Sequence, residues 1–178
     1  MKKFFIKKIF PSILLLTLIG GGLFYYQTAQ GVNRTWDGGG TDGTCGGSAG
    51  DGNKWACAAN WSGDTAPTAS DVAIFDGTST KDATIAANIS VAGISINAGY
   101  TGTITQSGSF TVTVGSSHYS QADGTFTGGS GAIAITGTYT QSGGTFTSTS
   151  GTLTIGASLI SATTIFTLSG GTFNHNSG

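Results

Sequence analysis

The sequence has no glutamate and a single arginine, and charged residues make up only 8% of its 178 positions. An ordinary soluble domain carries about 25%. Amphipathic helical bundles and coiled coils need Glu, Lys, Arg and Leu along their faces, so that architecture is excluded. Nucleic-acid binding is disfavoured for the same reason, since it requires clustered Lys and Arg. No Gly-x-Ser-x-Gly elbow, His-Glu-x-x-His pair or Gly-Lys-Ser/Thr phosphate loop occurs, which removes the best-marked routes to hydrolase, metalloprotease and nucleotide chemistry. Gly, Thr and Ser fill the space instead, with 80 residues between them.

What charge there is has a split distribution. Lys2, Lys3, Lys7 and Lys8 hold four of the seven basic residues, and all eight aspartates lie beyond residue 31. The lysines precede an apolar stretch over residues 9–26, and Ala29-Gln30-Gly31 puts small residues at the −3 and −1 positions of a cleavage site. This is the layout of a helical secretory signal over residues 1–31. A retained N-terminal anchor is the competing reading, because the apolar stretch is near the lower length for a membrane span. Pro11 and Gly20-Gly21-Gly22 weaken a continuous helix there. Either way the remainder is expected outside the cytoplasm, touching membrane only through this segment.

Cys45 and Cys57 fit that compartment. An isolated pair twelve residues apart in an exported chain predicts a disulfide. No Cys-x-x-Cys motif is present, and no histidine lies nearby to complete a metal site. Residues 32–70 also hold Trp36, Trp55 and Trp61 and four aspartates, among many glycines and without a clear period. This segment reads as a small capping module stapled by the disulfide.

From residue 71 onward the pattern changes. Val72-Ala73-Ile74-Phe75, Ile94-Ser95-Ile96, Phe110-Thr111-Val112-Thr113-Val114, Ala132-Ile133-Ala134-Ile135 and Leu153-Thr154-Ile155 are short β-branched runs separated by Gly, Ser, Asn and Asp. Most alternate apolar with small or polar, which is the strand signal. The segment also repeats. Tyr119-Ser120-Gln121-Ala122-Asp123-Gly124-Thr125-Phe126-Thr127 matches Tyr139-Thr140-Gln141-Ser142-Gly143-Gly144-Thr145-Phe146-Thr147, and Phe166-Thr167-Leu168-Ser169-Gly170-Gly171-Thr172-Phe173-Asn174 is a third copy. A degenerate earlier copy is read at Ile104-Thr105-Gln106-Ser107-Gly108-Ser109-Phe110. The longer spacing before the third copy places an insertion over residues 157–164.

A repeat of about 20 residues with two or three short strands suits one turn of a β-solenoid. The expected fold is therefore all-β: a β-solenoid over residues 71–178, a disulfide-stapled cap over 32–70, and a helical signal or anchor before them. Aromatic and aliphatic residues point inward and stack, while Thr and Ser form outward ladders. A β-sandwich is the alternative arrangement. The third copy reaches Asn176-Ser177-Gly178 where a further strand is expected, so the chain reads as the N-terminal part of a longer product.

Asn60-Trp61-Ser62-Gly63-Asp64, Pro67 and Asp71-Val72-Ala73-Ile74-Phe75-Asp76-Gly77, followed by the Gly-Gly-Thr-Phe repeats, resemble the opening module and stalk of large bacterial surface proteins. These are the autotransporter passengers and filamentous-haemagglutinin-like adhesins. The resemblance implies a secreted or cell-surface adhesin-like protein whose partners are cell-surface glycans, or other copies meeting at the solenoid ends.

Candidate chemistry is sparse. After Asp82 the only charged side chain is Asp123, accompanied by His118 and His175. Polysaccharide lyases and glycosidases on β-helices need converging carboxylates or a basic residue, so an enzyme reading requires a site beyond Gly178. No catalysis and no cofactor are expected within the chain. Trp36, Trp55 and Trp61 are candidates for a sugar-stacking platform, with packing inside the cap as the alternative. Asp37, Asp42 and Asp51 are weak Ca²⁺ candidates that turn formation also explains. Asn33, Asn60 and Asn88 begin Asn-x-Ser/Thr triplets.

Overall fold

A computed structural model of the chain describes residues 31–156 and 165–176, together with the backbone of 18–19 and 22–23. Residues 1–30 and 31–178 are two compact units. In the first, β1 (Leu18–Ile19) and β2 (Gly22–Leu23) pair antiparallel. The helical leader expected over 1–31 otherwise lies outside the described residues, as does the insertion expected over 157–164.

The second unit is a parallel β-solenoid of four complete turns. Each turn gives one strand to each of three sheets. The first sheet holds β3 (Asn33–Thr35), β4 (Val72–Phe75), β7 (Gly93–Ile96), β10 (Tyr119–Gln121), β13 (Tyr139–Gln141) and β16 (Phe166–Leu168). The second holds β5 (Ala83–Ile85), β8 (Thr103–Gln106), β11 (Thr125–Thr127), β14 (Thr145–Thr147) and β17 (Thr172–Asn174). The third holds β6 (Ile89–Val91), β9 (Val112–Val114), β12 (Ile133–Ile135) and β15 (Leu153–Ile155). Every pairing among these strands is parallel, which settles the choice against an antiparallel sandwich.

The alternation of the sequence becomes vertical columns. Ala73, Ile94, Tyr119, Tyr139 and Phe166 share one inward column. Ala83, Ile104, Phe126, Phe146 and Phe173 share another. Rings stack within them: Tyr119 on Tyr139 at 5.1 Å and Phe126 on Phe146 at 5.1 Å between centroids, with nearly parallel planes in each case. Such pairs add about 0.5–1.5 kcal/mol each beyond their burial. Corners fall at small residues. Gly144 sits at φ 66°, and a Cβ there would meet the Asp123 carbonyl oxygen at 2.4 Å, so the corner admits glycine alone without rearrangement.

The structure corrects one repeat assignment. Ile104-Thr105-Gln106 does not align with Tyr119-Ser120-Gln121. It lies one sheet further on, opposite Phe126 and Thr127, and Ile94-Ser95-Ile96 takes the place above Tyr119. The shared Thr-Gln-Ser-Gly composition suggested the wrong register, because two different corners use a buried glutamine.

Candidate functional site

The cap is built onto the first turn by β-pairing. The strand β3 pairs with β4 in the register Asn33↔Val72, Lys54 bridges to Thr84, and the Trp55 N–H donates to the Thr84 carbonyl at 2.8 Å. Between these contacts the chain folds through a short helix α1 (Asp42–Cys45), capped reciprocally by Thr41 and Thr44, and two 3₁₀ turns. The Cys45–Cys57 disulfide joins α1 to the second of these turns, with the Cα atoms 5.2 Å apart.

Trp36, Trp55 and Trp61 close the top of the solenoid core. Trp61 lies edge-on to Trp36 and Trp55 at 5.1 and 4.8 Å, and all three contact Phe75. Phe75 in turn contacts Tyr100. The indoles are 0%, 2% and 0% exposed. A sugar platform needs an open ring face, and here the faces are covered by other aromatic rings. The Trp36 Nε1–H donates to the Lys81 carbonyl and the Trp61 Nε1–H to the Trp55 carbonyl, so both polar handles are also used.

Polar side chains hold the cap segments together. Asn60 is fully buried; its amide donates to the Gly52 and Lys54 carbonyls and its Oδ1 accepts from the Gly40 N–H. As an Asn-x-Ser triplet it is therefore closed to modification in the folded chain. The Lys81 ammonium donates to the Gly38 and Gly40 carbonyls and lies 3.5 Å from Asn60 Oδ1. Asp71 accepts from the Val32 N–H, the Thr68 N–H and the Thr68 hydroxyl. The Val32 amide is the main reason the Asp71 carboxyl sits below its ordinary pKa, with the Thr68 bonds acting the same way against the opposing effect of burial.

The three calcium candidates are each used in hydrogen bonds within the cap. Asp37 Oδ1 accepts from the Gly39 N–H and Asp42 Oδ1 from the Gly52 N–H. Asp51 pairs with Lys54 and accepts from the Ser48 N–H. The Lys54 bond, followed by the Ser48 bond, lowers the Asp51 pKa. Among the described residues no three His, Cys, Asp or Glu side chains gather as a ligand set.

Along the repeats, Asp123 stands at a corner. One carboxylate oxygen accepts from the Gly99 N–H and the other from the Gly124 N–H. Its register matches Gly143 and Gly170, as the repeat alignment predicts. His118 is exposed at φ 71°, and its Nδ1 accepts from the Thr138 N–H at 2.9 Å. His175 is exposed beyond β17. Among the described residues no hydrogen bond joins these three side chains to one another.

The solenoid interior holds polar residues that the sequence reading did not single out. Gln121 and Gln141 are buried one above the other. The Gln141 amide donates to the carbonyls of Gly143, Gly144 and Thr172 at 3.0–3.2 Å, and its Oε1 accepts from the Tyr139 hydroxyl at 2.7 Å. Gln121 makes the same set with Asp123, Gly124, Thr145 and Tyr119. Burial raises the pKa of Tyr119 and Tyr139, which stay neutral donors. The available signal was the recurrence of Tyr-x-Gln at two consecutive repeats.

Among the described residues no helix is long and apolar enough to cross a membrane. Comparison with known protein families, with curated proteins and with solved structures finds no match. These comparisons give no support to the likeness to autotransporter passengers and haemagglutinin-like adhesins, and what the structure shows is a β-solenoid.

Proposed function

We propose that this chain is an exported structural protein of the cell surface, adhesin-like, in which a β-solenoid serves as a rigid stalk and a disulfide-stapled cap closes its first turn. The observation that carries the reading is the continuous stacking of inward columns through four turns, from Ala73 to Phe166 and from Ala83 to Phe173. Solenoids of this kind resist bending because each turn is packed on its neighbours. The Cys45–Cys57 disulfide is consistent with an oxidising compartment. The chain carries out no catalysis of its own in this reading. Its partners in this reading are cell-surface glycans or other copies meeting at the solenoid ends.

The test is thiol labelling and protease shaving of intact cells that make the protein. Thiols that react only after reduction, with fragments released by external protease, are expected. Free thiols in a protein that external protease cannot reach would sink the reading.

A further inference from the structure

The second sheet differs from the other two in what it shows to solvent. Its strands β11, β14 and β17 are centred on an inward Phe, so the residues on either side face outward. The register puts Thr103, Thr125, Thr145 and Thr172 in one outward column. Thr84, Thr105, Thr127, Thr147 and Asn174 make a second beside it. The first and third sheets offer one outward column each, of mixed composition: Ile74, Ser95, Ser120, Thr140 and Thr167 on one, Ser90, Thr113, Ala134 and Thr154 on the other.

The two threonine columns form a regular two-dimensional grid. Strand pairing fixes a repeat of about 4.8 Å along the columns, and alternate residues of a strand fix about 6.7 Å across them. The repeat is held from behind by the Phe126, Phe146 and Phe173 stack, at 5.1 and 5.3 Å between centroids. Threonine is stiff at χ1, so hydroxyl and methyl are presented in a fixed pattern at little entropic cost. Among the described residues, the hydroxyls of Thr84, Thr103, Thr105, Thr125, Thr127 and Thr145 make no hydrogen bond within the protein, and Thr147 only accepts one from Asn174 at 3.3 Å. Thr113, Thr140 and Thr154, outward on the other two sheets, make none either, whereas Thr68, Thr136 and Thr149 bond to protein acceptors; what sets the grid apart is two adjacent columns of free hydroxyls. The grid hydroxyls thus bond outward.

The charge around the grid narrows the partner. Neither column contains an ionisable side chain from Thr103 to Asn174. Asp82 lies at the upper edge, accepting from the Thr103 N–H, and Asp123 is turned to the amides of Gly99 and Gly124. Ionic polymers find no counter-charge here. An uncharged lattice desolvates no ion on docking. The hydroxyl-bearing positions repeat in two directions, at about 4.8 and 6.7 Å, spacings comparable with those between oxygen atoms on a prism face of hexagonal ice.

We propose that the outer face of the β5–β8–β11–β14–β17 sheet is an ice-binding face, in which Thr103, Thr105, Thr125, Thr127, Thr145 and Thr147 anchor an ordered water layer continuous with the ice surface. This function goes beyond the stalk reading and does not depend on it. It is tested on the full chain by following ice-crystal habit and recrystallisation in the cold. Crystals shaped into facets and arrested in growth are expected. Thr127→Lys, in the middle of the grid, should raise the concentration needed for arrest about tenfold. Thr113→Lys, outward on the third sheet, should leave it unchanged; circular dichroism checks that both fold. Unshaped ice with the unmodified chain overturns the proposal without any variant. Equal effects of the two lysine variants overturn it too, as does retention on insoluble cellulose or chitin without any effect on ice.

Discussion

Gln141 and Tyr139 allow the interior polar bonds to be measured as a coupled pair. Replacing Gln141 with Leu keeps the volume but removes both the Nε2 donor and the Oε1 acceptor of its amide. The Gly144 carbonyl still accepts from the Thr172 N–H at 2.9 Å. The Gly143 and Thr172 carbonyls and the Tyr139 hydroxyl lose the bonds that Gln141 supplied. At about 1 kcal/mol for each group left unpaired, Gln141→Leu costs about 3 kcal/mol before any gain from the apolar side chain. Tyr139→Phe leaves only the Gln141 Oε1 without its donor and costs about 1 kcal/mol. In the double variant neither the stranded hydroxyl nor the stranded Oε1 exists. Its cost falls to that of the two carbonyls, about 2 kcal/mol.

The chain itself carries that double replacement, since Phe166 and Leu168 stand opposite Tyr139 and Gln141 in the next turn. Urea unfolding followed by circular dichroism gives the three differences. A coupling of about 1–2 kcal/mol is expected, well outside the ~0.5 kcal/mol within which independent sites add. Additivity within that margin would refute the reasoning, because it would mean that the tyrosine hydroxyl does not depend on the glutamine.

Two further outcomes follow from the cap. Reducing Cys45–Cys57 should add the mass of two protons and destabilise the cap by roughly 3 kcal/mol on the loop-entropy argument; an unchanged urea midpoint for tryptophan fluorescence would show that the disulfide contributes nothing to holding the indoles. Asp71 should make the cap acid-sensitive. Its folded pKa lies below the ordinary value, so its contribution is complete above about pH 4 and is lost as pH falls through the lower folded value. The melting temperature of the native chain should therefore drop more steeply below pH 4 than that of Asp71→Asn, and identical profiles would contradict the assignment.

Much of the architecture was legible because it is periodic. Tyr119 and Tyr139, or Phe126 and Phe146, recur at the same interval as the turns they occupy, and local alternation already places them inward. The upper turns were harder to read. Ile94 and Ile96 fill the places of Tyr119 and Gln121, and no similarity of residue type connects the two pairs. The cap resisted for a different reason. Asn60, Lys81 and Trp36 meet across separations of 21 to 45 residues, and nothing in their local spacing announces that. Whether an indole packs inward or faces a sugar is likewise decided by what covers it, which is a tertiary fact.

The placement of buried glutamines follows from corner length. Between β10 and β11, and between β13 and β14, only three residues turn the chain. So tight a corner aims its carbonyls, those of Asp123, Gly124, Gly143 and Gly144, toward the interior, where each must find a donor. The next strand supplies the Gly124 and Gly144 carbonyls through the Thr145 and Thr172 N–H groups but does not reach those of Asp123 and Gly143, so the last inward residue of the preceding strand does, and that residue is Gln121 or Gln141. The corner between β7 and β8 is longer, running from Asn97 to Gly102, and there Ile96 suffices. The corner between β16 and β17 is again three residues, yet it follows Leu168; Ser169 and Gly171 are exposed there, and water can meet the carbonyls. On the other side of the solenoid the same need arises at the Gly131 carbonyl, which accepts from Gln106 and from Thr149. The buried amides of Gln106, Gln121 and Gln141 are thus a consequence of tight turning, and their positions mark corners.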